Sequence, residues 1–290
     1  MLSKLYALAD APPPADIEGL RAALRDFFYG RGNQSLSVTH IEPGGTLGVF
    51  FTVQTGQTCY FIKTHRPTNQ YRAALIKEAR LTRFLYGNTF NAELSEIKVN
   101  DECYAIFLND FLMPSPQKTT LPEINTLLEK IRVASPPQEL VPRTSAVYTK
   151  FLETADQALT ELPLAGLLSA KIARACADHM TLITDAPCDR LCHGDLSNKN
   201  IMCKNETLVI IDWEDAFWGP AGFDMANWLT FFDQRKYYTD GFPQTLSEKC
   251  RSFMLMCVLL KSWISYKNKS YFNNSLSFNE RLGEILNMKP

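Results

Sequence analysis

The sequence predicts an α+β protein of two lobes, a smaller N-terminal lobe built on an antiparallel sheet and a larger, mainly helical C-terminal lobe. Two observations support this prediction. Short strand-like runs separated by turn signals crowd into the first 110 residues, whereas helical periodicities dominate the remainder. The chain has 290 residues and is 46% hydrophobic, which is enough to bury the cores of two lobes. We place the lobes at residues 1–110 and 111–290.

The N-terminal lobe is predicted to begin with a helix and to continue as five strands interrupted by a second, longer helix. Turn signals separate the strands, with Gly56 inside one hairpin and Asn100-Asp101 inside another. Gly87 provides a C-cap for the longer helix. In chain order, we predict a helix over residues 15–28, strands over 37–41, 49–53 and 58–64, a helix over 71–86, and strands over 97–99 and 103–108.

The C-terminal lobe is predicted to contain five helices. In the third of them, apolar residues recur at steps of four, four, four and three, which is typical of a helix with one buried face. These residues are Leu168, Ile172, Cys176, Met180 and Ile183. The predicted helices cover residues 121–133, 144–162, 164–183, 224–235 and 246–267.

Composition excludes several classes of protein. The chain has 30 basic and 31 acidic residues, a net charge of −1, which argues against nucleic-acid or membrane-surface partners recruited by charge. Its eight cysteines include no C-x-x-C pair, so a zinc site is not expected. Free thiols in a chain of this size predict a reducing compartment. The N-terminus is too polar for a signal peptide, and no apolar run could span a bilayer. We therefore expect a cytoplasmic monomer or homodimer.

Four polar residues in the C-terminal lobe have the spacing of a phosphoryl-transfer site. His193, Asp195 and Asn200 fit the pattern H-x-D-x-x-x-x-N, and Asp212 follows at the end of an apolar run. Asp195 could accept a proton from an attacking hydroxyl, while Asn200 and Asp212 could hold Mg²⁺ on a triphosphate. The plain alternative is a turn with chance polar residues, but the flanking apolar strands favour the site. His193 is expected to support the loop through hydrogen bonds.

These motifs resemble those of the aminoglycoside phosphotransferase and choline kinase family. Members carry His-Gly-Asp or His-Asn-Asp, then Asn-Ile, then Ile-Asp-Trp/Phe-Glu, as in His193-Gly194-Asp195, Asn200-Ile201 and Ile211-Asp212-Trp213-Glu214. Protein kinases instead carry Arg where this chain has Gly194, and Phe-Gly after the metal-binding Asp. The resemblance implies a bilobal protein-kinase-like fold, a nucleotide-binding N-terminal lobe, a catalytic and substrate-binding C-terminal lobe, and ATP and Mg²⁺ as cofactors, with GTP also possible.

An ion pair between Lys63 and Glu78 is predicted to hold the nucleotide phosphates. Lys63 lies on a strand, on the same face as Cys59 and Phe61, and such a lysine needs an anionic partner unless it is an edge or snorkelling lysine. Glu78 falls on the apolar face of the following helix, where a carboxylate needs a cation. The simpler alternative for Glu78 is an ordinary solvated helix residue. The resemblance implies that the pair grips the α- and β-phosphates.

Two further segments are predicted to contact the nucleotide. A glycine-rich loop could offer its backbone N–H groups at Gly44, Gly45 and Thr46 to phosphate oxygens, although a plain hairpin loop is an equal alternative. The resemblance places adenine at a hinge, where the contacts would come from Asn109, Phe111 and Leu112. No G-x-x-x-x-G-K-[ST] motif is present, so a Walker-type NTPase is disfavoured.

The acceptor is predicted to be a hydroxyl of a small molecule. Only eleven residues separate Asp212 from Asp224, which leaves no room for a long activation loop. Asp224 is expected to be a helix N-cap in a segment that, by resemblance, buttresses the catalytic loop. Acidic and aromatic residues of the C-terminal lobe would suit an amino alcohol or an aminosugar such as an aminoglycoside, and a neutral sugar is also compatible. The candidate acceptor residues are Glu214, Asp215, Trp218 and Trp263.

Three alternative functions stay open. A nucleotide-binding pseudokinase or regulatory module would have no need of Asp195. Adenylyl transfer on the same fold would require an inverted nucleotide and would add AMP, not a phosphoryl group, to the acceptor. A serine/threonine protein kinase is weakened by Gly194 and by Trp213-Glu214.

Overall fold

The computed structural model describes residues 13–33, 35–42, 48–87, 89, 91–114, 119–239 and 246–288. The chain forms two compact units. The sheet unit comprises the described residues of Ala9–Thr119 together with Lys199–Asp215, and the helical unit comprises those of Thr120–Asn198 and Ala216–Pro290. Thus a segment from the C-terminal half of the sequence belongs to the sheet unit. The predicted division of function between residues 1–110 and 111–290 stays a prediction.

Ten strands form three antiparallel sheets within the described residues. The largest has the order β1-β2-β3-β5-β4, a second contains β6, β8 and β9, and a third pairs β7 with β10. The strands are β1 Leu36–Ile41, β2 Gly48–Thr55, β3 Thr58–His65, β4 Ala92–Val99, β5 Glu102–Asp110, β6 Met113–Pro114, β7 Arg190–Cys192, β8 Ile201–Lys204, β9 Thr207–Ile210 and β10 Phe217–Gly219.

Nine α-helices are described, and most of them lie in the helical unit. They are α1 Ile17–Gly30, α2 Asn69–Tyr86, α3 Leu121–Arg132, α4 Ala146–Leu164, α5 Ala170–Thr181, α6 Phe223–Leu229, α7 Lys236–Thr239, α8 Glu248–Lys267 and α9 Phe278–Leu286. Short 3₁₀ turns at Asn198–Asn200 and Trp213–Asp215 flank the hairpin formed by β8 and β9. No helix among the described residues is long and apolar enough to cross a membrane.

The core of the sheet unit lies between α1 and one face of the five-stranded sheet. Leu20, Leu24 and Phe28 recur along α1 at steps of four and are all buried. They pack with apolar side chains of the sheet such as Phe51 and Ile106. The strand β3 is central, and its Lys63 lies opposite Phe50 of β2 and Phe107 of β5.

The core of the helical unit is organised around α8. Twelve of its twenty residues are buried, and ten of these form an almost continuous run from Cys250 to Leu260. A helix that is apolar on all sides is surrounded by protein, and here α4, α5, α6 and α9 pack on it. The apolar run that sequence alone showed to be too short for a membrane span is therefore the centre of this unit.

The predicted α+β class is confirmed, and two helices differ from their predictions. The helix predicted over residues 164–183 begins only at Ala170, because the chain turns at Gly166 (φ +71°) and Ser169 accepts the N–H of Ile172 as the N-cap. The helix predicted over 224–235 ends at Leu229 and is followed by a 3₁₀ turn. The long helix α2 matches its prediction, with Gly87 (φ +52°) at its C-cap.

Candidate active site

Lys63 is the centre of a cluster of charges in the sheet unit. Its side chain is buried, and its ammonium nitrogen lies 2.7 Å from Glu78 Oε2, 2.5 Å from Asp212 Oδ1 and 3.0 Å from Glu214 Oε2. An ammonium group has three N–H donors, and here each can serve one carboxylate. The predicted Lys63–Glu78 ion pair is therefore formed, within a larger cluster that includes two further acids.

Helix α2 places Glu78 against Lys63. Glu78 is 4% exposed and lies on the buried face of the helix with Leu75 and Leu81, as its spacing predicts. Thr82 and Tyr86 follow Glu78 at steps of four, so the same helical face turns all three toward the interior of the unit. Burial of a lone carboxylate is unfavourable, and the ion pair with Lys63 offsets part of that cost.

The cluster contains three acids and one cation, and this imbalance shifts their protonation. Burial raises the pKa of Glu78 to about 8 despite the attraction of Lys63. Burial likewise raises the pKa of Glu214. Burial would lower the pKa of Lys63, but Asp212, Glu214 and Glu78 together raise it well above its usual value. The cluster therefore keeps Lys63 charged and holds a proton more readily than isolated carboxylates do.

Asp212 has a left-handed backbone (φ +68°) just beyond the end of β9. Three hydrogen bonds fix the two residues before it. The hydroxyl oxygen of Tyr86 accepts the N–H of Ile210 at 2.7 Å, and the indole of Trp213 donates to the carbonyl of Ile210 at 2.8 Å. The N–H of Ile211 donates to the carbonyl of Asn200 at 2.9 Å. The strained backbone of Asp212 is thus fixed, and Asn200 and Asp212 are brought onto neighbouring segments.

The carboxylates around Lys63 offer ligands suited to a hard cation. One oxygen each of Glu78, Asp212 and Glu214 lies within 4.8 Å of the others. Carboxylate and amide oxygens are the groups that Mg²⁺ prefers in proteins. The predicted metal ligands Asn200 and Asp212 belong to the same unit, and their role as metal ligands stays a prediction.

A mostly apolar cavity of about 240 Å³ lies in the sheet unit. The three predicted hinge residues Asn109, Phe111 and Leu112 all line it, as does Glu78. Two buried polar atoms of its lining, Oδ1 of Asn109 and Oγ1 of Thr82, make no hydrogen bond. Further apolar lining comes from Ile41, Phe61, Phe107, Met202 and Ile211. An apolar slot with a few polar groups at its edge suits a flat heterocycle.

The first residues of the predicted catalytic loop, His193 to Leu196, lie in the helical unit and are held by residues of α6. Asp224 is buried in the first turn of this helix and accepts the N–H of His193 at 2.7 Å and that of Gly194 at 3.0 Å. The side chain of Asn227 donates to the carbonyl of Leu196. Gly194 has φ +85°, a conformation that the arginine of protein kinases would adopt only with strain. The loop is therefore fixed through its backbone.

Within this loop, His193 is a structural support. It is fully buried, and its Nδ1 accepts the N–H of Asp195 at 3.2 Å. The prediction that Asp224 is an N-cap is wrong, because Gly222 occupies that position and Asp224 binds the loop instead. Burial raises the pKa of Asp224, and the hydrogen bonds from the backbone N–H groups of His193 and Gly194 oppose this effect.

The predicted acceptor residues have different environments. Glu214 lies against Lys63, and Asp215 is buried beside it in the sheet unit. In the helical unit, Trp218 is buried and its indole donates to Val141, whereas the indole of Trp263 donates to a carboxylate on α4. Their roles toward an acceptor stay predictions. The predicted phosphate contacts Gly44, Gly45 and Thr46 lie outside the described residues.

Several residues of the site were missed in the sequence. Tyr86 and Thr82 could have been found, because they share the i, i+4, i+8 face of Glu78. Asn227, which holds Leu196, and Met202, which lines the apolar cavity, gave no signal of their own. Their contributions depend on which segments meet in space.

The sequence is similar to those of known phosphotransferases. The model of the phosphotransferase enzyme family matches residues 41–246, most of the chain. Hygromycin-B 4-O-kinase from Escherichia coli is 30% identical over 98 residues, which cover 30% of this chain and only 29% of that enzyme.

Solved structures of kinases share the fold. A thermostable mutant of the aminoglycoside phosphotransferase APH(4)-Ia, in a ternary complex with ADP and hygromycin B, gives a TM-score of 0.62 at 15% identity and covers 90% of this chain and 97% of its own. Choline kinase from Streptococcus pneumoniae gives a TM-score of 0.55 at 12% identity, and the match covers 91% of this chain and 97% of the choline kinase chain. The predicted resemblance and the kinase-like fold are confirmed: the chain belongs to the phosphotransferase enzyme family.

Proposed function

We propose that this protein transfers the γ-phosphate of ATP to a hydroxyl of a small molecule in a reaction that requires Mg²⁺. The observation that carries this proposal is the cluster around Lys63, in which one buried ammonium binds three carboxylates. An excess of acidic oxygens beside a fixed cation suits a divalent metal and a polyphosphate together. Membership of the phosphotransferase enzyme family supports the same chemistry.

The nucleotide is assigned to the sheet unit. The apolar cavity beside Asn109, Phe111 and Leu112 would take the adenine ring, since its walls are mostly apolar and Oδ1 of Asn109, at the predicted hinge, makes no hydrogen bond. Guanine is the second candidate for the same slot. Solved relatives are in complex with ADP or AMP-PNP, which supports an adenine nucleotide.

Lys63 must change partners to bind a phosphate. All three of its N–H donors are directed to carboxylates, so a phosphate oxygen can accept from it only if one carboxylate withdraws. Asp212 and Asn200 would hold the metal, and Mg²⁺ bound there would neutralise charge on the β- and γ-phosphates. Glu78, the most buried of the acids, would stay on Lys63 and keep it aligned. Nucleotide affinity is therefore expected to depend on Mg²⁺.

Asp195 is assigned as the base. Its loop is held at His193, Gly194 and Leu196 by hydrogen bonds from α6, so that the side chain is presented from a rigid backbone. In the proposed step, Asp195 orients the acceptor hydroxyl and accepts its proton as the oxygen attacks the γ-phosphorus, while the bond from that phosphorus to the bridging oxygen breaks and ADP leaves with the electron pair. Positioning and electrostatics dominate this class of reaction, which is consistent with so rigid a loop.

The acceptor is proposed to be an aminosugar or an amino alcohol. Relatives with this fold act on hygromycin B, choline or ethanolamine, as their names state, and each of these carries a cationic nitrogen near a hydroxyl. The acidic and aromatic candidates Glu214, Asp215, Trp218 and Trp263 would recognise such a group.

A turnover screen with purified protein tests the proposal. ATP or GTP with Mg²⁺ is incubated with aminoglycosides, amino alcohols, monosaccharides and nucleosides, and products are identified by mass. We expect an acceptor-dependent gain of one phosphoryl group and a loss of about 10²- to 10⁴-fold in turnover in Asp195→Ala, with nucleotide binding retained. Full activity in Asp195→Ala would exclude this base. Addition of AMP would indicate adenylyl transfer, and binding without turnover on any acceptor would favour a pseudokinase.

A further inference from the structure

A second cavity, of about 160 Å³, lies in the helical unit where α6 ends between α8 and α9. Two cations line it, Lys261 of α8 and Arg281 of α9. Hydroxyl groups of Thr230 and Ser262 and the ring of Phe231 also contribute. None of the described residues that line this cavity is a carboxylate. A cavity with two cations and no acid in its lining has the composition of an anion site.

Arg281 is a buried cation with an unmet hydrogen-bonding need. It is 6% exposed, and its Nη2 donates to the carbonyl of Thr230 at 2.6 Å. Its buried Nη1 makes no hydrogen bond of good geometry, and the polar side chain that acts on the guanidinium there is the hydroxyl of Tyr238. Burial lowers the pKa of Arg281, whereas Tyr238 and Glu284 act in the opposite direction, and Glu284 is itself paired with Arg235. A hydroxyl group does not neutralise a buried guanidinium, so an anion nearby would stabilise this arrangement.

Lys261 adds a second positive charge to the same cavity. Its ammonium nitrogen lies 2.7 Å from Oγ1 of Thr230 and 3.7 Å from the ring centroid of Phe231. The bonds to Thr230 also place both cations at the C-terminal end of α6, where the helix dipole favours positive charge. These contacts use the hydroxyl and the carbonyl of Thr230, which are neutral groups, so no carboxylate in the lining balances the charge of the two cations.

The cavity is connected to the catalytic loop through one residue of α6. The side chain of Asn227 donates to the carbonyl of Leu196, the residue after Asp195. The carbonyl of the same Asn227 lies 3.5 Å from the ammonium nitrogen of Lys261. Asn227 therefore contacts both Lys261 and the loop that carries Asp195.

We propose that this cavity binds a small oxyanion, a phosphate or carboxylate group. The charge of its lining repels an ammonium group, so this site differs in chemistry from the acidic and aromatic residues proposed for a cationic acceptor. The anion could be a group on the acceptor itself or a separate small anion. Lys261 and Arg281 would bind the oxyanion in the same way in both cases. This inference rests on the geometry of the helical unit and does not require the proposed function.

Binding of inorganic phosphate to the full-length protein tests the inference, with calorimetry in a buffer low in chloride. We expect saturable binding that weakens about tenfold or more in Lys261→Met, because a charge-assisted hydrogen bond to the anion is lost. Lys267→Met is the matched control, since Lys267 lies on the same helix and is paired with Glu161. It should bind phosphate like the unchanged protein. Melting curves would confirm that both variants are folded.

A third variant separates this cavity from the cluster in the sheet unit. Lys63→Met should retain phosphate binding. If Lys63→Met loses phosphate binding while Lys261→Met retains it, the assignment of the anion to the cavity in the helical unit is overturned. Absence of binding of both phosphate and acetate to the unchanged protein would overturn it as well, as would equal effects of Lys261→Met and Lys267→Met. Where phosphate binds as expected, competition with the acceptor would place the anion on the acceptor, and simultaneous binding would indicate a separate anion.

Discussion

The two units of the molecule hold their functional residues in opposite ways. In the sheet unit, Lys63 is held by side-chain charges, and the groups that neutralise it, Asp212 and Glu214, are those that a metal would also attract. In the helical unit, the catalytic loop is held by backbone N–H groups that donate to the buried carboxylate of Asp224. In the proposed reaction, the ion pairs of Lys63 must be exchanged for contacts with the ligands. The hydrogen bonds to Asp224 can stay the same when ligands bind.

This difference follows from what each site does in the proposed reaction. A polyphosphate and its metal bring large charges, and a cluster of opposite charges can exchange its internal ion pairs for pairs with the ligand. A base gains from a fixed position, because a small displacement reduces the rate strongly. Accordingly, substitutions in the Lys63 cluster should change ligand binding first, and substitutions around Asp224 should change turnover and stability first.

Substitution of Asp212 should have the largest effect on binding. Asp212→Asn removes a partner of Lys63 and a proposed metal ligand, so we expect Mg²⁺-dependent nucleotide binding to weaken by more than about tenfold. Nucleotide titrations with and without Mg²⁺ would measure it. Glu96→Gln, a change to an exposed acid paired with Arg72 in the same unit, is the control. Unchanged Mg²⁺ dependence in Asp212→Asn would refute its assignment as a metal ligand.

Substitution of Asp224 should separate turnover from binding. Asp224→Asn keeps one oxygen but turns an NH₂ group toward a backbone N–H of His193 or Gly194, so one donor loses its acceptor. We expect the free energy of unfolding to fall by about 1–3 kcal/mol and turnover to fall, with nucleotide affinity unchanged. Urea denaturation would measure the free energy of unfolding, and nucleotide titration would measure the nucleotide affinity. An equal loss of nucleotide affinity would show that the contrast between the two units is false.

The Lys63 cluster should make stability depend on pH. The pKa of Glu78 is about 8 in the folded protein and near 4.5 in the unfolded chain, so the folded state holds more protons between these values. Stability should therefore decrease as pH rises through this window, by up to about 1.4 kcal/mol per pH unit. In Glu78→Gln the slope should be smaller, although Glu214 would still contribute in the same direction. Denaturation between pH 5 and 8 would measure both slopes, and identical slopes would contradict the assignment.

Removal of the Tyr86 hydroxyl should have the smallest effect. Tyr86→Phe leaves the N–H of Ile210 without its acceptor, and we expect a loss of about 1 kcal/mol in the free energy of unfolding with a modest rise in the Mg²⁺ needed for nucleotide binding. The control is Tyr29→Phe, because Tyr29 is 51% exposed on α1. If the two variants behave alike, Tyr86 does not position the segment that carries Asp212.

The sequence by itself determined the α+β class, the ion pair of Lys63 with Glu78, and the order of Asp195, Asn200 and Asp212. Each rests on local information: strand alternation, helical spacing, or residues close together in one loop. The Lys63–Glu78 pair could be predicted across 15 residues because a buried acid and a buried base on adjacent elements each require a partner.

Only the tertiary structure decided how these residues are supported. It added Asp212 and Glu214 to Lys63, from 149 and 151 residues away, and it turned Asp224 from an expected N-cap into the acceptor for the catalytic loop. It also began the helix of residues 170–181 later than its apolar spacing predicted. Periodicity shows which face of an element is buried, but it contains no information about which distant segment covers that face. The partners of a buried charge depend on the identity of that segment.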